Sequence, residues 1–168
     1  MTKSSPLDSF ERAITTNFAL WLSLSAYLIM TLAFVVITRV WDFWLIDEMF
    51  SKAKILAHID ALSAEQRRVH AITTATLDVA YPLAYGTFQA GMAYRFLGRW
   101  GRRVAPLSLI CMPVDLIEGF AQVRLLTGST HYIGLKVVAT PIKLALFVPG
   151  LVFALVACWI ACRRALRP

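Results

Sequence analysis

The chain has 168 residues, of which 58% are hydrophobic and only 16% charged. A soluble domain of this size carries about 25% charged residues, so a water-covered globule is excluded and lipid must cover most of the surface. The net charge of +7 does not point to nucleic acid, because Lys and Arg gather at the ends of apolar stretches, where anionic headgroups favour them, and form no basic patch interleaved with aromatics.

After Lys3 and Arg12, an uncharged stretch runs from Ala13 to Thr38. It exceeds the roughly 7–15 apolar residues of a signal peptide and no small-x-small cleavage site follows, so it predicts a retained span over 18–38. Trp21 near one end and Trp41 and Trp44 beyond the other read as interface anchors. The loop 39–70 is long. Within it, Met49, Phe50, Ala53, Leu56, Ile59 and Ala61 recur at steps of three and four among charges. That pattern predicts a short amphipathic helix over 47–62, lying on the membrane surface or capping a bundle. Ser63 and Gln66 form a capping-box pattern that starts the next helix outside the lipid.

A second span is predicted over 71–96, followed by a basic turn, 97–104, with Arg99, Arg102 and Arg103. Pro106 suits the first turn of a third span, 105–126. After a short polar loop, a fourth span covers 133–162, with a bend expected at Pro149-Gly150 and Arg163, Arg164 and Arg167 beyond it. About 20 apolar residues are needed per span, so four spans use nearly the whole chain. The expected fold is therefore all-α: one transmembrane domain, a four-helix bundle with an external amphipathic helix between spans one and two. Short flanks weigh most in orientation. Lys3, Arg12, Arg95, Arg99, Arg102, Arg103, Arg163, Arg164 and Arg167 flank one side. On the other side Arg39, Lys52, Lys54, Arg67, Arg68, Arg124 and Lys136 lie mostly in a long loop diluted by acids. Both termini are accordingly expected in the cytoplasm.

Cys111, Cys158 and Cys162 all fall in predicted spans, and an odd number of thiols in lipid is no disulfide framework. Cys158 and Cys162, one turn apart without a His or acidic neighbour, read as small buried residues at a helix interface rather than metal ligands. Gly86 and Ala90 make a small-xxx-small pair that lets another helix approach closely.

Four ionisable residues lie inside the predicted spans: Asp78, Asp115, Glu118 and Lys143. Each costs at least ~2.5–3.5 kcal/mol at a helix centre, so they must meet partners. Counted from the external span ends at ~1.5 Å per residue, Asp78, Glu118 and Lys143 share one depth, ~10–15 Å below the same face. Asp115 lies one turn deeper. Asp78, Tyr81 or Pro82, Tyr85, Gln89 and Met92 form one helical stripe, and Ser108, Cys111, Asp115, Glu118 and Gln122 form another. Polar stripes in lipid face inward, where they are expected to meet Lys143 and Thr140. Pro82, Pro113 and Pro149 each free a backbone carbonyl, and such carbonyls tend to line cavities.

Two readings follow from the same residues. One is a structural ion-pair network that fixes helix register. The other is a pocket in the outer half of the bilayer, in which Asp78, Asp115, Glu118 and Lys143 are candidate catalytic groups and Tyr81, Tyr85, Gln89, Cys111 and Gln122 candidate ligand contacts. Carboxylates in different surroundings are the arrangement that separates acid and base roles. Glu118 or Asp115 would act as acid, Asp78 as base or cation stabiliser, and Lys143 as the group that tunes them. A lipid-like or isoprenoid ligand, with isomerisation or cyclisation as the reaction if there is one, suits that site. The competing classes are an accessory subunit of a larger membrane complex and an ion-coupled transporter, with a homo-oligomer or a partner membrane subunit as the protein partner. His70 and His131 read as solvated interface residues and His58 as exposed, so no metal is expected, and no motif names a cofactor.

The pattern Asp78-x-x-Tyr81-Pro82-x-x-Tyr85-Gly86, with Asp115-x-x-Glu118 and Lys143 on the following helices, resembles a group of small uncharacterised bacterial four-helix membrane proteins. The resemblance covers about residues 63–162. It implies the same four-span fold in a bacterial inner membrane. In that group an Asn follows the glutamate; here the position is Gly119.

Overall fold

The computed structural model describes residues 6–166, so Lys3 and Arg167, counted above toward orientation, lie outside the described residues. The described elements are helical throughout: α1 (Pro6–Ile14), α2 (Asn17–Val40), α3 (Lys52–Ala61), α4 (Ala64–Phe96), α5 (Gly101–Leu126) and α6 (Ile133–Ala165). Short 3-10 turns stand at Ile46–Glu48, Gly98–Trp100 and Thr130–Tyr132.

Where the sequence predicts four apolar spans, three helices among the described residues are long and apolar enough to cross a membrane: α2, and α5 and α6 each with the turn before it. The remaining long helix, α4, has 33 residues but a more polar composition. Its position explains the difference. It is the central helix, packed against α2, α5 and α6, and it buries Thr73, Thr74, Asp78 and Gln89 while exposing Ile72, Val79 and Leu83. A helix enclosed by its neighbours needs apolar residues on one narrow strip only. By contrast, α2 turns Leu22, Leu28, Ile29 and Leu32 outward, and α6 turns Val148, Val152, Leu155 and Trp159 outward.

The stretch predicted as a span over 18–38 is helical from Asn17 to Val40, and Thr16, whose hydroxyl accepts from the Ala19 amide at 3.2 Å, caps it. The preceding helix α1 was not anticipated. It buries Ile14 among Ala90, Ala93, Val104 and Ala105 and leaves Leu7 and Phe10 exposed. The close approach needs Gly91: a Cβ there would lie 2.5 Å from the Ile14 carbonyl oxygen.

The segment 47–62 is not one helix. It begins with the turn Ile46–Glu48 and becomes helical only at Lys52. The buried face of α3 and its C-cap is Ile55, Ile59 and Leu62, which join Phe43 and Ile46 on Leu125 and Leu126, so this segment caps the bundle. Phe50, Ala53 and Ala61 of the predicted stripe are exposed. The capping box is present: the Gln66 amide donates to Ser63 Oγ at 3.1 Å and the Ser63 amide to Gln66 Oε1 at 2.9 Å.

The basic turn is shorter than 97–104. Gly98 takes φ +56° and Gly101 packs onto the Ala93 backbone, which leaves no room for a Cβ. Arg102, Arg103 and Pro106 are therefore already inside α5. The helix α6 continues uninterrupted through Pro149-Gly150, where a Cβ on Gly150 would meet Ser108 Oγ at 2.5 Å and Gln89 Oε1 at 2.7 Å. Gly86 and Ala90 are buried within the bundle, Gly86 facing the Met112 side chain. Cys158 is half-buried, but Cys162 is exposed and so is no interface residue.

Candidate functional site

The inward stripes meet as their periodicity requires. On α5, Ser108, Cys111, Asp115, Glu118 and Gln122 are all buried. Lys143 of α6 joins three carboxylates: its Nζ lies 2.5 Å from Glu118 Oε2, 3.2 Å from Asp115 Oδ1 and 3.3 Å from Asp47 Oδ1. Behind it, Lys136 donates to Glu118 Oε1, to Thr140 Oγ1 at 2.7 Å and to the Asp47 carbonyl at 3.2 Å. Thr140 donates to Glu118 Oε1 at 2.6 Å. Tyr85 donates to Asp115 Oδ2 at 2.8 Å and also touches Cys111 Sγ at 3.2 Å.

Two members of this network were not among the predicted site residues. Lys136 was counted as a flanking charge, yet its side chain is 0% exposed. Lys136, Thr140, Lys143 and Phe147 follow at steps of four, three and four on one face of α6, and that spacing to Lys143 was the available signal. Asp47 comes from the turn Ile46–Glu48, where no helical period applies. Its only signal is the apolar pair Leu45-Ile46 beside it; Ile46 is 0% exposed and plugs the turn into the bundle. With these two, the cluster holds four carboxyl groups and two ammoniums rather than three and one.

Burial alone would raise the Asp47 carboxyl, but Lys143, the Gln122 amide, Lys136 and His70 together hold it below its ordinary value. Gln122 Nε2 donates to Asp47 Oδ1 at 3.1 Å. His70, expected to be solvated, is instead 0% exposed, stacked on Phe43 at 4.9 Å, with no hydrogen-bond partner on either ring nitrogen. It lies just above the expected span, and burial pushes its imidazole down to about 4 against the pull of Asp47. His58 is half-buried rather than exposed, its Nε2 2.9 Å from the Trp44 carbonyl oxygen, whereas His131 is exposed. Among the described residues no three His, Cys, Asp or Glu side chains are disposed to hold a metal ion.

Beside the network is a cavity of about 290 Å³. Asp47, Asp78, Asp115 and Lys143 form its polar part, while Phe34, Tyr81, Tyr85 and Phe147 supply aromatic surface. The rings stand 5.3 Å (Phe34–Tyr81), 5.4 Å (Tyr81–Tyr85) and 4.9 Å (Tyr85–Phe147) apart, centroid to centroid. Tyr81 is half-buried and its hydroxyl lies 3.1 Å from Thr31 Oγ1 on α2. Of the predicted site residues, Asp78, Asp115, Lys143, Tyr81 and Tyr85 line this cavity. Glu118 is held behind Lys143, Cys111 behind Tyr85, and Gln122 against Asp47. Gln89 lies elsewhere, accepting from Ser108 Oγ at 2.9 Å.

Asp78 is 8% exposed and its Oδ2 has no hydrogen-bond partner. A Cβ at Gly119 would lie 3.5 Å from that oxygen and 3.8 Å from Thr74 Cγ2, ordinary contact distances. Gly119→Ala should therefore stabilise by ~0.5–1 kcal/mol through helix propensity. Gly119→Asn, which supplies a donor beside Asp78, should add about 1 kcal/mol beyond the alanine variant. Thermal unfolding of both in one detergent measures the difference, and equal melting temperatures would remove Asp78 as an unsatisfied acceptor. No protein-family model, curated protein or solved structure matches this chain.

Proposed function

We propose that α2, α4, α5 and α6 all cross the bilayer and that the cavity binds or converts a lipid-like or isoprenoid molecule entering from the membrane. At ~1.5 Å per residue α4 is ~50 Å long, enough to span a ~30 Å hydrocarbon core despite its polar interior face. The observation that carries the pocket reading is the composition of its wall. Charged groups that cost several kcal/mol to place in lipid are gathered at one cavity, beside four aromatic side chains and between the two helices richest in outward apolar residues. Val35 on α2 is 51% exposed and lines the cavity together with the half-buried Leu144 and Phe147 of α6.

Orientation follows the exposed cations. Arg12, Arg95, Arg99, Arg102, Arg103, Arg163 and Arg164 are exposed at the end of the bundle away from α3, and burial of Lys136 removes one charge from the other end. The positive-inside rule then assigns α1 to the cytoplasmic side of a bacterial inner membrane and the cavity to the outer half of the bilayer. If the ligand is turned over, proton transfer fits the wall. Asp115 is fixed by Lys143 and Tyr85, Asp78 is unpaired, and two carboxyls so differently placed suit acid and base roles in an isomerisation or cyclisation. Glu118 then acts as the strut that positions Lys143.

Native mass spectrometry of protein released from its own membrane tests the reading. A retained molecule of lipid size is expected, and it should be lost in Leu144→Trp, which fills the cavity. A stable assembly with a second membrane chain and no such molecule would make the cluster the register device of a subunit instead.

A further inference from the structure

The cavity's charges are unequally satisfied. Both ammoniums are spent: Lys136 is enclosed by Glu118, Thr140 and the Asp47 carbonyl, and Lys143 faces three carboxylates. No cation of the inner cavity is left to receive an anionic head. Arg39 belongs to the adjoining outer cleft of about 390 Å³, which it lines together with Asp42. On the acidic side, Asp78 is buried, lines the cavity and keeps one oxygen without a partner. The rings of Phe34, Tyr81, Tyr85 and Phe147 line the same cavity, and aromatic rings favour a cation over an anion through their quadrupole. Val35, Leu45 and Leu144 complete the wall with apolar surface.

We infer that the ligand is a lipophilic cation, an ammonium head on a hydrocarbon chain, with its nitrogen between the Asp78 carboxyl and the aromatic side chains that line the cavity. This rests on reading the cavity as a ligand pocket and adds the charge of what it takes. An ammonium N–H supplies the donor that Asp78 lacks, and its charge offsets the excess of carboxyl over ammonium groups. A neutral alcohol offers the hydrogen bond without the charge. A phosphate offers the wrong sign.

The test is retention of three chain-matched probes, dodecylamine, dodecanol and dodecyl phosphate, by the full-length protein in phosphatidylcholine nanodiscs, read by native mass spectrometry at equal partitioned concentration. Dodecylamine should be retained at least ten-fold over dodecanol, with dodecyl phosphate lowest, and Leu144→Trp should abolish retention. Asp78→Asn should bring the amine-to-alcohol ratio close to one. Tyr81→Leu, which leaves every carboxyl in place, should lower amine retention and not alcohol retention, so the inference does not hang on one variant. Equal retention of amine and alcohol, both lost in Leu144→Trp, overturns the cationic ligand and leaves the pocket standing. Preference for the phosphate overturns it likewise. Retention unchanged by Leu144→Trp for every probe overturns the pocket as well.

Discussion

Lys143→Met is expected to cost about 3–5 kcal/mol, the largest effect of any single substitution at the site. The ammonium lies within 3.3 Å of Asp47, Asp115 and Glu118 at once, and its side chain is only 11% exposed. Removing it leaves Asp47 and Asp115 without a salt-bridge partner among the described residues, while Glu118 keeps Lys136. Methionine keeps the chain length, so the loss is not a cavity effect. Adding Asp115→Asn should return part of the lost stability, because it removes one of the uncompensated acids; the coupling between the two substitutions isolates the pair. Chemical unfolding in detergent measures both. A single-variant loss below about 1 kcal/mol would mean that the pairing is worth no more than an exposed ion pair.

Acid should destabilise the protein through His70. In the unfolded chain the imidazole titrates near its ordinary value of 6.5, and in the folded protein at about 4, because it is buried without partners. Between those values the unfolded state binds a proton that the folded state refuses. Stability is therefore complete above about pH 6.5 and falls as pH drops toward 4, by an amount on the order of 3 kcal/mol at one shifted unit per ~1.4 kcal/mol. The groups that act on His70 are Asp47, which favours its charged form, and His58 and Lys136, which oppose it. Asp47 titrates below its ordinary value of 3.8, so its contribution is lost only at lower pH and does not overlap this window. Phenylalanine keeps the ring stacked on Phe43, so His70→Phe should flatten the melting-temperature profile between pH 6.5 and 4 without lowering stability at pH 7. An unchanged slope in that variant would assign the acid sensitivity to another group.

Periodicity carried the reading where the chain is long and helical. The stripes through Asp78 and Tyr85 on α4 and through Asp115 and Glu118 on α5 are buried as their spacing requires, and Lys143 meets Asp115 and Glu118. The Ser63–Gln66 box also stands where it was read, because a cap is a local hydrogen-bond pattern. What escaped has physical causes. The helix α1 lies ahead of the predicted span, and its boundary with α2 is marked by the Thr15-Thr16-Asn17 capping pattern rather than by Pro, Gly or charge. Asp47 reaches the site from a turn, where side-chain direction follows no period. Lys136 sits near a helix end, where a lysine usually reaches for water, and only its register with Lys143 distinguishes it. His70 resembles an interface residue until the capping segment closes over it with Phe43 and Ile46. The span count differs for a related reason: a central helix such as α4 is chosen for its inward face, and a hydropathy average dilutes the outward strip that meets lipid.

The central claim is that the charged cavity opens to the bilayer. It is tested most directly with a phospholipid bearing a photoreactive diazirine in its acyl chain, crosslinked in intact membranes and mapped by peptide mass spectrometry. Adducts are predicted at the cavity wall, on Phe34, Leu144 and Phe147, and on the outward face of α6 at Val152 and Leu155. Leu144→Trp should erase the first set and spare the second. An adduct pattern confined to the outward faces, identical in wild type and Leu144→Trp, would contradict lipid access and leave the charges as internal architecture.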